Sequence, residues 1–384
     1  MADSPKTQKQ STIAVHGGVP NRGPGEPVAQ HLVQSVNYVQ DFGTPDLLYT
    51  RYGNTPNEEV VQQRIAMLEG AESALVLSSG MGATACALLA LLRPGDHLVS
   101  ATWIYGGTRR LFTEEFEAMG IEVTFADPDE RRAFRSAIRK NTRAIFVESP
   151  VNPTCRVLDI EQLATLAKVQ GVALVVDSTL ASPINARPIS MGADVVIHSA
   201  TKYLNGHHDI LCGVVVGSSV YIDEVRKKMM VWGQAPDPFA CWLLERGLKT
   251  LDVRVQRINE NTQRVAEWCA KRPEIARVHY AGLPDHRDYK IAKKMLDGFG
   301  GLMSIELKGG ASAADSFVRK LRMIAYASSF GGVDSLVIEP RFSSHAHMTS
   351  EERAAIGIPD GFLRISIGLE HADDIIADIE QALQ

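Results

Sequence analysis

The 384-residue chain lacks several features that would assign it to a specialised class of protein. It has no stretch of about 18 apolar residues, the length that a membrane-spanning helix needs, so no membrane partner is expected. It has 40 basic against 45 acidic residues, and this balance argues against binding to nucleic acid. Its polar N-terminus lacks the apolar run of a signal peptide, which predicts a cytoplasmic location.

Cysteine is scarce, and neither cysteine nor histidine is arranged in a ligand pattern. The five cysteines are scattered and form no CxxC pair, and the 11 histidines form no HExxH motif. Structural and catalytic zinc sites need closely spaced ligands of these types. We therefore predict no metal site, and we expect reduced thiols that are mostly buried.

The chain does contain enough apolar residues, 45%, to bury a sizeable core, and its length predicts about two domains. Residues 1–53 are irregular and rich in Gly, Pro, Gln and Asn, which predicts an arm. Residues 54–252 alternate short apolar runs with helical stretches and form the predicted large domain. Residues 253–384 predict a smaller C-terminal α+β domain.

Seven apolar runs in the predicted large domain indicate strands. They span residues 74–77, 97–99, 122–125, 144–147, 172–176, 195–197 and 214–216. The intervening helices favour an α/β fold with a mostly parallel seven-stranded sheet and helices on both faces. Ligands of such sheets bind beyond the carboxyl ends of the strands. The residues to examine for chemistry are therefore 78–82, 148–150, 177–179 and 198–202.

Lys202 follows one of these predicted strands closely. Burial of its amine in the crevice would lower its pKa and make it a nucleophile that can form a Schiff base. Asp177 ends another predicted strand, and a carboxylate there can pair with a pyridine nitrogen, because a protonated ring is the stronger electron sink. A lone lysine at this position would more often be a solvated loop residue, so its companions carry the prediction of a pyridoxal phosphate (PLP) site.

A turn rich in glycine supplies one of these companions. The backbone N–H groups of Gly80, Met81 and Gly82 open a predicted helix and suit a phosphate. Ser199 and Thr201 flank the lysine with hydroxyl donors. The same turn loosely fits a dinucleotide fingerprint, but no acidic residue ends a second strand about twenty residues further on.

Tyr105 and Arg364 are two further candidates. The ring of Tyr105 can stack on a cofactor, and its phenol can move protons. Arg364 lies in an otherwise apolar strand, where its guanidinium needs a partner such as a substrate α-carboxylate. A half-buried loop tyrosine and a structural salt bridge remain open as alternatives for these two residues.

These segments resemble the cysteine/methionine-metabolism family of fold-type-I PLP enzymes. That family includes cystathionine γ-synthases, cystathionine lyases, methionine γ-lyases and O-acylhomoserine sulfhydrylases. The resemblance runs from about residue 12 to the C-terminus, and its most specific motif is the segment from His198 to Lys202. The other matching segments are 49–54, 79–81, 148–153, 176–179, 203–209 and 364–370.

The resemblance implies PLP as cofactor and a role for each matching residue. Lys202 would form the Schiff base and then move protons, while Tyr105 would stack on the ring and help to deprotonate the substrate. Asp177 would hold the ring nitrogen. The other implied cofactor contacts are Gly80, Met81, Asn152, Thr179, Ser199 and Thr201. The implied substrate contacts are Asn152, Ser329, Asp334 and Arg364.

The resemblance also implies an oligomer. Tyr49 and Arg51 match phosphate ligands that, in the family, reach into the neighbouring subunit. Residues 1–53 would then be the arm that contacts this subunit. The expected assembly is a homotetramer built from two dimers that share their active sites.

Positions that distinguish the activities of the family leave the reaction open. Cystathionine-handling members often carry acids where this chain has Leu48 and the shorter Asp334, and methionine γ-lyases typically carry cysteine where it has Gly107. We predict γ-replacement on an O-acylhomoserine by a thiol such as cysteine, as in a cystathionine γ-synthase. Cystathionine γ- or β-lyase and O-acylhomoserine sulfhydrylase activities remain open. The competitors from other classes are an aminotransferase of the same fold type and a non-catalytic protein.

Overall fold

The first sheet contains seven strands in a computed structural model that describes residues 8–20, 22–43, 47–130, 132–344, 346 and 348–384. The strands are β1 (Ser73–Leu77), β2 (His97–Ala101), β3 (Glu122–Ala126), β4 (Thr142–Glu148), β5 (Ala173–Asp177), β6 (Val195–Ser199) and β7 (Gly213–Gly217). Their spatial order is β1-β7-β6-β5-β4-β2-β3. Strand β7 is antiparallel to both of its neighbours, and the remaining pairs are parallel. The predicted mostly parallel seven-stranded sheet is confirmed.

Helices cover this sheet. Every residue of β2 and β7 is buried, which requires cover on both faces. The helices of this part are α1 (Gln10–His16), α2 (Pro56–Glu69), α3 (Gly80–Leu91), α4 (Gly106–Arg110), α5 (Ala133–Ala137), α6 (Ile160–Gln170), α7 (Ser182–Asn185), α8 (Ser219–Trp232) and α9 (Pro238–Leu248). Shorter helical segments are Thr50–Tyr52, Leu111–Phe116 and Pro188–Met191. Helix α3 packs on β6 and β7 and so brings its N-terminus to the end of the lysine-bearing strand.

Local sequence explains where helices α2 and α3 begin and end. Thr55 and Glu58 form a capping box before α2, whose first residue is a proline, and Gly70 ends the helix in a left-handed conformation. Ser79 caps α3 by accepting a hydrogen bond from the Gly82 amide. These caps fix the point at which the chain leaves each strand or helix, and hence the position of the glycine turn.

The second sheet has five strands in the order β10-β11-β12-β9-β8. They are β8 (Ile275–His279), β9 (Leu302–Leu307), β10 (Ala325–Tyr326), β11 (Leu336–Ile338) and β12 (Phe362–Ser366). Only β10 and β11 pair in parallel, and the other pairs are antiparallel. The accompanying helices are α10 (Leu251–Cys269), α11 (Tyr289–Met295), α12 (Gly310–Lys320), α13 (Ser350–Ala355) and α14 (Ala372–Leu383), with a short 3₁₀ turn at Pro340–Phe342.

Helix α10 connects the two parts of the molecule. Its first half contributes Leu251, Val255 and Ile258 to the core around the first sheet. Its second half contributes Val265 and Cys269 to the core around the second sheet. The predicted boundary between residues 252 and 253 therefore falls in the first turn of a helix that serves both cores, and the division into domains remains a prediction.

The structure describes only part of the predicted arm, and it bears on the expectations about membrane spans, metal sites and cysteines. Residues 1–7, 21 and 44–46 of the predicted arm lie outside the described residues. Within the described residues, no helix is long and apolar enough to cross a membrane. Across the same residues, no group of three His, Cys, Asp or Glu side chains could hold a metal ion. All five cysteines are buried, with unbridged thiols.

Candidate active site

A cavity of about 480 Å³ opens at the carboxyl ends of β4, β5 and β6 and is closed on one side by residues of the second sheet. It brings together most of the residues predicted from the sequence. Those that line it are Gly80, Met81, Tyr105, Asn152, Asp177, Thr179, Ser199, Thr201, Lys202, Ser329 and Arg364. The predicted residues Tyr49, Arg51 and Asp334 do not line it.

Lys202 lies in the turn after β6, with its amine in the cavity. Its Nζ donates a hydrogen bond to Ser329 Oγ at 2.7 Å and lies 5.0 Å from the centroid of the Phe330 ring. Burial, assisted by the positive charge of Arg364, lowers the pKa of Lys202 to about 8. A substantial fraction of this amine is therefore neutral near physiological pH, which is the form that attacks a carbonyl carbon.

Asp177 is the last residue of β5 and is held in place by its neighbours. Its Oδ1 accepts hydrogen bonds from the Thr179 amide at 3.0 Å and from Thr179 Oγ1 at 2.6 Å. The same threonine hydroxyl accepts from the Ser199 amide at 2.8 Å, which ties the ends of β5 and β6 together. Within the described residues Asp177 Oδ2 accepts no hydrogen bond, so one carboxyl oxygen is available to a ligand. Burial raises the pKa of Asp177 in the protein alone.

Glu148, the last residue of β4, is a site residue to which the sequence analysis assigned no role. Its Oε2 accepts from the Tyr105 amide at 2.7 Å, and its Oε1 accepts from the Asn152 amide at 3.0 Å. It is in register with Asp177 on the neighbouring strand. Burial and the Asp177 carboxyl raise the pKa of Glu148 to about 8. The sequence did contain a signal for Glu148, because its carboxyl group ends an apolar run next to two loops that were predicted to belong to the site.

An anion-binding cradle lies at the N-terminus of α3. By their positions in the first turn, the Gly80 and Met81 amides have no partner inside the helix. A Cβ atom on Gly80 would lie 2.8 Å from Ser199 Cβ, so only glycine allows this approach. The Ser199 hydroxyl is thereby held beside two free amides. This arrangement suits a phosphate group.

Two buried polar atoms at the cavity lack partners. Arg364 Nη2 donates to the Ser329 carbonyl at 2.6 Å, while its Nε is buried and bonds to no described residue. The side-chain oxygen of Asn152 is likewise buried and unpaired within the described part of the chain. Burial lowers the pKa of Arg364 to about 10, so it keeps its charge. Buried polar groups are normally satisfied, which points to a polar ligand at both residues.

The three predicted residues outside the cavity have other surroundings. Arg51 is exposed, and its Nη1 donates to the Met230 carbonyl at 2.8 Å. Its guanidinium carbon lies 5.5 Å from the Tyr49 ring centroid. Asp334 is exposed on the loop before β11. A single chain therefore does not bring Tyr49 and Arg51 to its own cavity, and the neighbouring-subunit role of these residues stays a prediction.

Several apolar residues that line the cavity had no sequence signal. They are Leu180, Leu211, Phe330 and Ile338. Leu180 and Leu211 lie in loops near the first sheet, whereas Phe330 and Ile338 come from the second-sheet side. Nothing in the local pattern distinguishes such residues from ordinary core positions, because only the tertiary fold brings them together.

The residues present fit PLP. A buried amine of lowered pKa, a carboxyl group with a free oxygen, an anion cradle and an aromatic side chain at Tyr105 are the groups that this cofactor needs. Asn152 adds an unpaired buried oxygen next to them. The fold and the site thus define an enzyme that uses an aldehyde cofactor bearing a phosphate.

Comparisons with known proteins also indicate an enzyme that uses PLP. The family described as "Cys/Met metabolism PLP-dependent enzyme" matches residues 11–384. An L-methionine gamma-lyase of Fusobacterium nucleatum subsp. polymorphum is 41% identical over 342 residues, covering 88% of this chain and 86% of that protein. A cystathionine gamma-lyase of Bacillus subtilis is 36% identical over 379 residues, covering 98% and 99%. The structure of cystathionine gamma synthase from Xanthomonas oryzae pv. oryzae, in complex with aminoacrylate and cysteine, superposes with a TM-score of 0.94 at 36% identity and 98% coverage of both chains.

The chain belongs to the family of Cys/Met-metabolism PLP-dependent enzymes. Its cofactor is PLP, and it is an enzyme of sulfur amino-acid metabolism that acts on small amino acids. The relatives include synthases, lyases and a sulfhydrylase. Family membership therefore fixes the cofactor chemistry but not the reaction.

Proposed function

We propose that this enzyme catalyses γ-replacement on an O-acylhomoserine, with a thiol such as cysteine as the second substrate. The Cγ–O bond breaks and a Cγ–S bond forms. The acyl group leaves as a carboxylic acid whose proton balances the one lost by the thiol, and the product is a thioether amino acid. This is the activity of a cystathionine γ-synthase.

The observation that carries the proposal is a second cavity beside the first. It has a volume of about 590 Å³ and shares Thr201, Leu211, Ser328 and Ser329 with the active-site cavity. A replacement reaction must bring a second substrate to the reacting carbon, whereas an elimination needs only one. Two adjoining cavities supply room for both substrates. The Xanthomonas synthase, whose structure contains aminoacrylate and cysteine, supports cysteine as the second substrate.

Different residues of the cavity would bind the substrate, transfer its proton and hold the cofactor ring. Bound PLP supplies an electron sink that stabilises negative charge on the substrate carbons next to the amine. Arg364 would bind the substrate α-carboxylate and satisfy its free Nε. Lys202 Nζ, with its lowered pKa, would accept the proton from Cα and return it later. Asp177, held by Thr179, would keep the ring nitrogen protonated.

Gly107 supports replacement over methionine cleavage. A Cβ atom at this position would lie 2.6 Å from Tyr105 Cε1 and 3.2 Å from Met81 Sδ. The cysteine typical of methionine γ-lyases would therefore displace the Tyr105 ring. The observed placement of Tyr105 depends on glycine at residue 107.

We also infer that two copies of the chain share their active sites within the expected homotetramer. Val39 and Phe42 on the arm are fully exposed in the single chain, with relative accessibilities of 103% and 108%. Exposed apolar side chains that are grouped on one segment are typical of protein–protein contact surfaces. Mixing Arg51→Ala with Lys202→Ala subunits tests this arrangement, because a mixed dimer would contain one site free of both changes. Recovery of activity on mixing is expected, and continued inactivity would contradict site sharing.

A turnover panel tests the reaction itself. Purified holoenzyme would receive O-acetyl- or O-succinylhomoserine with and without cysteine or sulfide, and cystathionine or methionine alone. We expect a thioether product from cysteine to form faster than 2-oxobutanoate forms from any substrate. Faster release of 2-oxobutanoate and ammonia from cystathionine would instead identify a lyase. Faster reaction with sulfide than with cysteine would identify a sulfhydrylase.

A further inference from the structure

The turn that follows Lys202 contains two adjacent histidines with different surroundings. The Nδ1 atom of His207 is 2.8 Å from the Asn205 carbonyl. Asp209 also has a partner, since its Oδ1 accepts from Asn205 Nδ2 at 2.7 Å. His208 makes no hydrogen bond or ion pair with any described residue, although it lines the second cavity. This imidazole is therefore available to a ligand.

The backbone holds His208 in an uncommon conformation. Its φ is +57°, in the left-handed region that non-glycine residues rarely adopt. The imidazole lies against Gly332, where a Cβ atom would be only 1.9 Å from His208 Nε2. Any side chain at residue 332 would thus displace the ring. Strained, closely fitted positions of this kind concentrate at functional sites.

Charges around His208 are of both signs. Burial lowers the pKa of His208, the Asp334 and Asp209 carboxylates oppose this effect, and the Lys202 ammonium reinforces it. Within the described residues, Asp334 has no ion pair or hydrogen bond. Asp334 lies two residues after Gly332, against which the exposed imidazole packs, so a ring nitrogen and a carboxylate are available to a ligand in the same region of the surface. This pair complements a zwitterion, which carries a carboxylate and an ammonium on one carbon.

We propose that His208 binds the carboxylate of the incoming thiol amino acid while Asp334 binds its ammonium. The proposal rests on the γ-replacement function and specifies its second substrate as an α-amino acid rather than a simple thiol. Recognition at both charges explains how a shortened acid at residue 334 can still select cysteine. His208 is a specificity-determining residue in this account.

Three thiols can distinguish the proposed contact of His208 with the carboxylate from that of Asp334 with the ammonium. Cysteine carries both charged groups, 3-mercaptopropionate lacks the ammonium, and cysteamine lacks the carboxylate. His208→Asn is the informative variant, because asparagine tolerates the left-handed backbone while its side chain is too short to replace the imidazole. KM for each thiol would be measured on holoenzyme saturated with O-acylhomoserine.

In His208→Asn, we expect KM to rise about tenfold for cysteine and 3-mercaptopropionate, the loss typical of one hydrogen bond to a charged group. KM for cysteamine should change less than about twofold, within the range of a neutral surface substitution. Asp334→Asn should instead raise KM for cysteine and cysteamine. His207→Asn is the matched control and should leave all three values unchanged.

The outcomes separate the two levels of the proposal. An unchanged KM in His208→Asn, or an equal rise for all three thiols, would overturn the role of His208 while leaving γ-replacement intact. Failure of the unmodified enzyme to form a thioether with any thiol would overturn γ-replacement and this inference together.

Discussion

The two walls of the active-site cavity differ in how far they satisfy their own hydrogen bonds. The cofactor wall comprises Glu148, Asp177, Thr179, Ser199 and Lys202, all at or near the ends of parallel strands. Its carboxyl groups accept hydrogen bonds from neighbouring loops, and the Thr179 hydroxyl accepts one from the Ser199 amide at the end of the next strand. It is therefore largely assembled before any ligand arrives.

The substrate wall comprises Ser329 and Arg364, which come from the second sheet and its loops. Arg364 Nε is buried and has no partner among the described residues, and Ser329 has a φ of +80°. An unsatisfied buried group carries a penalty of about 1–3 kcal/mol, which a bound carboxylate would remove. The cofactor wall is thus already organised for the chemistry, whereas the substrate wall keeps unsatisfied polar groups that can bind and select the substrate.

The largest expected effect comes from breaking the cofactor wall at Lys202. Lys202→Ala removes both the attachment point and the proton carrier, so we expect activity to fall by about 10⁴-fold or more, as for other catalytic nucleophiles. Steady-state turnover and the cofactor absorbance band would be measured together. Lys168→Ala on the exposed end of α6 is the control, and equal losses in both variants would contradict the assignment.

Breaking the substrate wall at Arg364 should affect binding without affecting cofactor attachment. Arg364→Lys keeps the charge but loses the planar pair of donors, so we expect kcat/KM to fall by about 100-fold, or about 3 kcal/mol. The cofactor absorbance band should be unchanged, which separates the two walls. Loss of that band in Arg364→Lys would show that Arg364 is needed to hold the cofactor.

A pH profile tests how the substrate wall tunes the cofactor wall. Only the neutral Lys202 amine attacks PLP, so its attachment to apoenzyme should accelerate about tenfold per pH unit below 8 and then level off. Arg364 lowers the same pKa through its charge, so Arg364→Met should move the plateau to higher pH. The rate would be followed by absorbance after mixing apoenzyme with PLP. An attachment rate independent of pH between 6 and 8 would contradict this account.

The smallest expected effect concerns the link between the site loops. Glu148→Gln keeps one acceptor oxygen but turns an NH₂ group toward one of the two amides that the carboxyl group holds. We expect the PLP dissociation constant to rise about tenfold, the loss of roughly one hydrogen bond. Glu161→Gln on the exposed face of α6 is the control. Equal PLP affinities of both variants would show that Glu148 does not position the loops.

The cofactor wall could be predicted because its signals are local. Asp177 directly follows an apolar run and Lys202 lies a few residues after another, and the carboxyl ends of parallel strands converge at one edge. The glycine turn before α3 was predictable for the same reason. Glu148 occupied an equivalent position but matched no cofactor group, since its partners are backbone amides that sequence patterns do not show.

The substrate wall was less accessible to sequence reasoning. Strands β10 and β11 span two and three residues, too short to give a periodic pattern. Phe330 and Leu211 meet at the cavity only through the tertiary fold, and the environment of His208 depends on its approach to Gly332. The proposed cofactor contacts of Tyr49 and Arg51 would need a second copy of the chain, which no local pattern can supply.

The most direct test of the central claim is to locate the cofactor on the chain. Holoenzyme would be reduced with borohydride to fix the cofactor to its amine, digested, and mapped by mass spectrometry. We predict that the phosphopyridoxyl group is found on the peptide that contains Lys202 and is absent from that peptide in Lys202→Ala. Its attachment to another lysine in the unmodified enzyme would contradict the account.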